Sequence, residues 1–283
     1  MNSLKDRLDI LLVKKGFFES REKAKASIMA GLVFVDGILT DKAGTGVSED
    51  ADIFVKRDLC PYVSRGGLKL AKAIKYFDIK LNGKICMDIG ASTGGFTDCM
   101  LQNGAERIYA VDVGRGQLDW KLRTDDRVVN IERTNIRYFQ REDLEKIIDF
   151  ISVDVSFISL NLIFPVIKRL LAKDGYVICL VKPQFEAGRE QVGNKGIVKD
   201  PKIHEDVIFK VTDYAVNSGL LPIDITFSPL TGAKGNIEFL LYLKNTNEKP
   251  IVNITKEKIQ KLVSEAHAEL EKNKNQEKRN EII

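Results

Sequence analysis

The stretch Met87-Asp88-Ile89-Gly90-Ala91-Ser92-Thr93-Gly94-Gly95-Phe96 decides how the rest of the chain reads. A strand over Lys84–Ile89 is expected to run into a glycine-rich turn that opens a helix over Gly95–Gln102. Such a turn lets backbone amides approach a ligand closely, because glycine has no side chain in the way. A dinucleotide fingerprint would need glycine at position 92, and this chain has Ser92. The next strand, Arg107–Val111, ends at Asp112, 22 residues after Gly90. A carboxylate at that strand end accepts both ribose hydroxyls of an adenosine bound at the switch point of an open α/β sheet. A structural loop explains the glycines alone; glycines together with Asp112 point to a nucleoside cofactor.

Outward from this motif the chain alternates helix and strand. A helix from Leu68 to about Phe77 precedes it, and Val128–Ile131 and Phe150–Val153 follow as strands. Helical periodicity covers Leu160 to about Leu171, and Gly175–Val181 is a near-continuous apolar strand. A helix from about Pro201 to Ser218 leads into strands near Leu221–Phe227 and Ile237–Leu243. Alternation of this kind implies a mainly parallel sheet covered on both faces. The last two strands share a short loop and should pair antiparallel at an edge. The predicted fold is α/β and Rossmann-like.

The N-terminal part reads as a small αβ module. Residues 4–16 place Leu4, Leu8, Leu11 and Leu12 at helical spacing, and Gly16 is the expected stop. Ser20 caps a second helix running to about Met29, which Gly31 closes. Leu32–Gly37 is a strand and tight turn, Ile38 begins the return, and Asp52–Val55 is a further strand. The expected division is residues 1–58 as the small domain, 59–66 as linker with Pro61, 67–245 as the large domain, and 246–283 as a charged tail. Within that tail, Ile259–Leu270 has amphipathic helical spacing.

Composition narrows the function. The 283 residues are 44% hydrophobic and 30% charged, ordinary for a globular protein with a sizeable core. No run approaches the roughly 20 apolar residues of a membrane span, and the N-terminus lacks the charged and apolar regions of a secretory signal; the cytoplasm is the expected compartment. Cys60, Cys86, Cys99 and Cys179 form no C-x-x-C pair and only His204 and His267 accompany them, so neither disulfide nor metal is expected. The net charge is only +4, but Arg65, Lys69, Lys72, Lys75, Lys80 and Lys84 face only Asp78 across one stretch. A basic stripe is a candidate phosphate-facing surface, although a solvated helix face accounts better for an isolated one.

Four polar residues fall where an open sheet presents its functional edge: Lys69 near the start of the first large-domain helix, Asp154 and Lys182 each just after an apolar strand, and Glu238 early in the last strand. A structural ion-pair cluster would use the same residues, since buried charges need partners. The chemical alternative is proton removal from a hydroxyl. An alkyl hydroxyl is a poor nucleophile, and its proton must leave as an electrophilic group arrives. A lysine serves as base only if burial and a neighbouring cation lower its pKa.

Together these residues resemble the TlyA (hemolysin A) family of ribosomal RNA methyltransferases, in which an S-four-like RNA-binding domain precedes a methyltransferase domain of the FtsJ/RrmJ type. The resemblance spans about residues 3–243. It rests on Arg7-Leu8-Asp9, Ser20-Arg21, Ala24, Gly31-Leu32-Val33 and Val35-Asp36-Gly37 in the small module. Beyond it, the matching stretches are Tyr62-Val63-Ser64-Arg65-Gly66-Gly67-Leu68-Lys69-Leu70, Asp154-Val155-Ser156-Phe157-Ile158-Ser159, Lys182-Pro183-Gln184-Phe185-Glu186 and Gly235-Asn236-Ile237-Glu238.

The resemblance implies a class I methyltransferase sheet and S-adenosyl-L-methionine as cofactor, held by Asp88, Gly90, Ala91, Ser92, Gly94, Gly95, Phe96, Asp112 and Asp154. It implies a catalytic tetrad of Lys69, Asp154, Lys182 and Glu238, with Lys182 as base and a cytidine ribose in ribosomal RNA as substrate. RNA contact is expected from Arg7, Ser20, Arg21, Lys25, Arg65 and Lys72, gripping phosphates rather than reading bases. The expected partner is ribosomal RNA or an assembled ribosomal subunit, met by a monomer, with no membrane and no metal. A membrane-active protein lacks support because no stretch has the strongly apolar face insertion needs. A decayed enzyme or a small-molecule methyltransferase would leave the intact tetrad or the N-terminal module without purpose.

Overall fold

The computed structural model describes residues 5–29, 31–56, 60–193, 195–246 and 254–280. Leu4 of the first expected helix, Leu59 at the start of the expected linker and residues 247–253 of the tail lie outside the described residues. The chain forms two compact units, Met1–Pro61 and Tyr62–Ile283.

In the first unit, β1 (Lys5–Arg7) leads into α1 (Leu8–Lys14), then α2 (Arg21–Met29), β2 (Val33–Val35), β3 (Ile38–Leu39), β4 (Gly46–Ser48) and β5 (Ile53–Val55). Strand β2 is central, antiparallel to both β3 and β5. Its core is Leu8, Leu11, Leu12, Ala24, Ile28, Val33, Val47 and Ile53. The Ser20 hydroxyl accepts the Lys23 amide at 3.3 Å, capping α2 as its position suggests. The first helix is shorter than its apolar spacing predicts. Lys5–Arg7 is extended and pairs antiparallel with Gly46–Ser48, a partner 39 to 43 residues away that no local periodicity reveals.

The second unit runs α3 (Gly66–Tyr76), β6 (Ile85–Ile89), α4 (Gly95–Gln102), β7 (Arg107–Val111), α5 (Trp120–Arg123), β8 (Val128–Ile131), β9 (Ile148–Val153), α6 (Phe164–Leu170), β10 (Leu171–Val181), α7 (Pro183–Glu186), α8 (Pro201–Asn217), β11 (Leu221–Phe227), β12 (Phe239–Lys244) and α9 (Lys256–Asn280). The seven-stranded sheet has the order β11-β12-β10-β9-β6-β7-β8. Every pairing is parallel except those of β12, which runs antiparallel to both β10 and β11 and sits one strand in from the edge. Met87, Phe150, Phe164 and Phe239 are among the fully buried side chains on its two faces, each contributing roughly 1.5–3 kcal/mol by leaving water.

Two local departures from the sequence pattern have simple causes. The Leu160–Leu171 periodicity resolves into a single-turn helix at Leu160–Leu162 and α6, and Leu171 already has extended backbone and opens β10. Tyr62–Arg65, expected as linker, pack within the second unit. The Val63 amide donates to the Asp98 carboxylate at 2.9 Å, and the Tyr62 ring lies where a Cβ on Gly67 would stand. Helix α9 covers α8 and β11 through Ile259, Leu262, Val263 and Ala266.

Strand order reverses between β6 and β9: the chain leaves β6 toward β7 and β8, then returns to the other side of β6. Loops at the carboxyl ends of β6, β7, β9 and β10 therefore open around one crevice, where such sheets bind ligands.

Candidate active site

The glycine-rich turn follows β6. Gly90 has φ 86°, and a Cβ there would collide with the Asp154 carbonyl oxygen. Only glycine lets the two strand ends lie side by side. Gly94 (φ 96°) likewise leaves room for Leu118 and Leu122. Ser92 and Thr93, between them, are exposed at the crevice. Asp112 ends β7 beside this turn. Its Oδ2 accepts the Ser92 amide at 2.8 Å and its Oδ1 the Gly114 amide at 2.7 Å. The carboxylate is thereby held rigid, and each oxygen retains capacity for a ribose hydroxyl. The open turn, the glycine clearance and this carboxylate fit the adenosine end of the expected cofactor.

The other residues expected to hold it divide by depth. Asp88 is fully buried, receiving the Thr97 hydroxyl at 2.7 Å and the Ser152 hydroxyl at 3.1 Å. Burial pushes its carboxyl up to about 7. Gly95 and Phe96 are also buried, Phe96 within the core beneath α3. These three shape the turn from below, whereas Gly90, Ala91, Ser92 and Gly94 form the turn itself.

The four tetrad candidates converge. The Lys182 ammonium is ion-paired with Asp154 and donates to the Ser156 hydroxyl at 3.1 Å. The Lys69 ammonium meets Glu238 at 2.7 Å, with side chains 12% and 2% exposed. Register joins the two pairs: Val181 opposes Phe239 in the β10–β12 ladder, which sets Lys182 and Glu238 at neighbouring positions. The loop that precedes Glu238 is anchored by buried Asn236, whose side chain accepts the Val198 amide at 3.0 Å and donates to the Gly196 carbonyl at 2.9 Å.

Sequence reading missed the aromatic pair at the mouth of this site. Phe157 is 91% exposed and has φ 63°, a left-handed conformation that costs a residue with a Cβ roughly 1–2 kcal/mol. Its ring lies 4.9 Å from that of Phe185, which follows Lys182 by three residues. The ring thus stands exposed on the residue after Ser156, whose hydroxyl accepts a hydrogen bond from the Lys182 ammonium. Its motif was visible; its exposure and backbone sign were not.

The basic residues have separate fates. In the first unit Arg7, Arg21 and Lys25 gather around buried Asp9 at 3.0, 2.9 and 4.0 Å. Ser20 serves as a helix cap. In the second unit Arg65 is exposed, whereas the Lys72 ammonium lies 3.5 Å from the centre of the Phe227 ring. Half-burial lowers the pKa of Lys72, and its charge is turned onto an aromatic face rather than outward. No helix among the described residues is long and apolar enough to cross a membrane.

Comparison with known proteins gives a consistent picture. Residues 62–245 match the FtsJ-like methyltransferase family, and residues 6–53 match the S4 domain. A Bacillus subtilis chain bearing an rRNA methyltransferase name, YqxC, is 51% identical over 97% of this chain and 98% of its own length. The 16S/23S rRNA (cytidine-2′-O)-methyltransferase TlyA of Mycobacterium tuberculosis (strain CDC 1551 / Oshkosh) is 40% identical over 87% of this chain and 92% of its own. The solved structure of a hemolysin-named chain from Streptococcus thermophilus superposes with a TM-score of 0.78 at 49% identity, covering 96% of this chain and 99% of that one.

Proposed function

Because the chain belongs to the FtsJ-like methyltransferase family and carries an S4 domain, we propose that it methylates the ribose 2′-hydroxyl of cytidine in ribosomal RNA, using S-adenosyl-L-methionine. The observation that carries this reading is the Lys182 ammonium held between Asp154 and the Ser156 hydroxyl, with Glu238 at the neighbouring strand position and Lys69 of α3 paired to it. Methylation of a base nitrogen or carbon needs no such paired lysines, whereas an alkyl hydroxyl needs a positioned group to take its proton. The similarity to TlyA supports both the ribose and the cytidine.

Gly90, Ala91, Ser92, Gly94 and Asp112 would hold the cofactor, which supplies an electrophilic methyl group on a sulfonium. With the cofactor bound, Lys182 Nζ would receive the proton of the 2′-hydroxyl as its oxygen takes the methyl group and the sulfonium sulfur–carbon bond breaks. Asp154 then holds the resulting ammonium. Lys69, fixed by Glu238, orients the ribose. Phe157 and Phe185 offer an exposed face on which a nucleobase drawn out of its stack can rest.

Arg7, Arg21 and Lys25 grip RNA phosphates. The S4-matching unit would be the RNA-binding domain and residues 62–245 the catalytic one. The protein would act as a cytoplasmic monomer that meets ribosomal RNA or an assembled subunit without a metal. The test is incubation with labelled S-adenosylmethionine and unmodified ribosomal subunits, followed by nucleoside analysis. Label in 2′-O-methylcytidine is expected; label on a base atom would overturn the ribose mechanism.

A further inference from the structure

The loop after β9 and the turn after β10 carry the residues of the proposed chemistry, and they leave the sheet side by side because β9 and β10 are parallel neighbours. Three contacts stitch them together. Lys182 meets Asp154 and Ser156, and Phe185 meets Phe157. At the far end stands Glu186, which is 4% exposed. Its Oε1 accepts the Leu160 amide and its Oε2 the Ser159 hydroxyl, each at 2.7 Å. From the other side the Lys210 ammonium of α8 donates to the Glu186 carbonyl at 2.8 Å, so the backbone carrying this carboxylate is itself pinned to a long helix.

A carboxylate in this position does nothing for the stability of the sheet that an apolar residue would not do more cheaply, because burial disfavours its charged form. Its placement has another outcome. Glu186 closes a ring: β9, Asp154, the strained Phe157, Ser159, Glu186, Phe185, Lys182 and β10. Residues 154–159 are held at both ends, and the left-handed backbone at Phe157 persists because its surroundings leave it no alternative.

We propose that Glu186 is a positioning residue for methyl transfer: it clasps the Ser159–Leu160 turn to the Lys182 turn and so sets Asp154, Ser156 and Phe157 against the lysine. This rests on the ribose-methyltransferase reading above. A displacement of about 1 Å at the reacting groups lowers turnover on the order of a hundredfold, so the clasp acts on kcat and leaves cofactor affinity alone.

The test compares the full-length wild type with Glu186→Ala, Glu186→Gln and Ser159→Ala. Steady-state methyl transfer, S-adenosylmethionine affinity by calorimetry, thermal melting and hydrogen exchange at residues 154–160 are measured for each. Glu186→Ala should lose about a hundredfold in kcat, keep its cofactor affinity, and lose exchange protection at the Leu160 amide. Glu186→Gln should recover most of the rate and the protection, since the amide oxygen still accepts from Leu160 and its NH2 group donates to the Ser159 oxygen. Ser159→Ala should fall between. Wild-type kcat in Glu186→Ala, failure of the glutamine to rescue, or a parallel fall in melting temperature and cofactor affinity would each overturn the clasp. Unchanged exchange at Leu160 would overturn it independently of activity. A wild type that methylates no ribose while Glu186→Ala still loses that protection would instead defeat the functional reading and leave the clasp standing.

Discussion

Asp9 is fully buried, and the Arg21 guanidinium that reaches it at 2.9 Å remains half exposed. Arg7 grips the same carboxylate from the other side, with Nε on one oxygen and a terminal nitrogen on the other. One anion thus orients three cations, leaving a local excess of positive charge aimed at solvent. Helix α1 supplies Asp9, α2 supplies Arg21 and Lys25, and β1 supplies Arg7, so the tertiary fold builds a phosphate-sized concentration of charge that the near-neutral composition of this unit conceals.

Asp9→Asn should therefore weaken RNA binding although it removes a negative charge. The side-chain bonds from Arg7, and then those from Arg21, hold the Asp9 carboxyl down at about 2. A depressed carboxylate stabilises the fold above its unfolded pKa near 4, and that stability is lost as pH falls toward 2. Electrophoretic RNA-binding assays should show Asp9→Asn losing affinity, and its melting temperature should vary less than that of wild type across this acid range. Tighter binding by the variant would mean that charge count, not orientation, governs the grip.

Lys182→Ala should bind cofactor and RNA normally and fold normally, yet lose methyl transfer by roughly 10²–10⁴-fold, the usual contribution of a positioned proton acceptor. Lys182→Arg should be no better, because a guanidinium stays protonated and cannot take the hydroxyl proton. Single-turnover assays with labelled cofactor read this directly. Near-normal turnover in the alanine variant would remove Lys182 from the mechanism.

Phe157→Ala should reduce turnover on RNA by an amount matching a lost base stack, about 1–3 kcal/mol. Its stability should scarcely change, since the ring is almost wholly exposed. The partition between kcat and KM tells whether the stack acts before or during transfer. A large drop in melting temperature would show that the Phe157–Phe185 contact is structural instead.

His204 and His267, the only histidines of the chain, meet at 3.0 Å between α8 and α9. Burial, and secondarily the neighbouring His267, lowers the His204 pKa to about 4. The contribution of a histidine with a lowered pKa is complete above its unfolded value near 6.5 and disappears as pH falls through 4. Melting temperature should accordingly fall over that range, and His204→Gln should flatten the curve. A pH dependence unaltered by the substitution would exclude the pair as its source.

The sequence pattern revealed most of the sheet because strands buried on both faces are written as apolar runs, as in Val177–Val181. It also pointed to the two ion pairs Lys182–Asp154 and Lys69–Glu238, since charged residues at the ends of such runs need partners. Strand β1 stayed hidden because Lys5–Arg7 carries three charged side chains and owes its extended form to a distant partner. Lys72 sat in a basic stripe that looked uniform, yet half-burial against Phe227 sets it apart from exposed Arg65 and Lys75. Phe157 illustrates a deeper limit: positive φ arises from constraints at both ends of its loop, and no single position encodes them.

Gly90 binds two inheritances into one. Because the space its missing side chain vacates is occupied by the Asp154 carbonyl, residue 90 answers to β9 as much as to any bound nucleoside. An engineer widening this crevice for a bulkier alkyl donor should find position 93 forgiving and position 90 closed, since any side chain there would push on the end of β9 before it touched the donor.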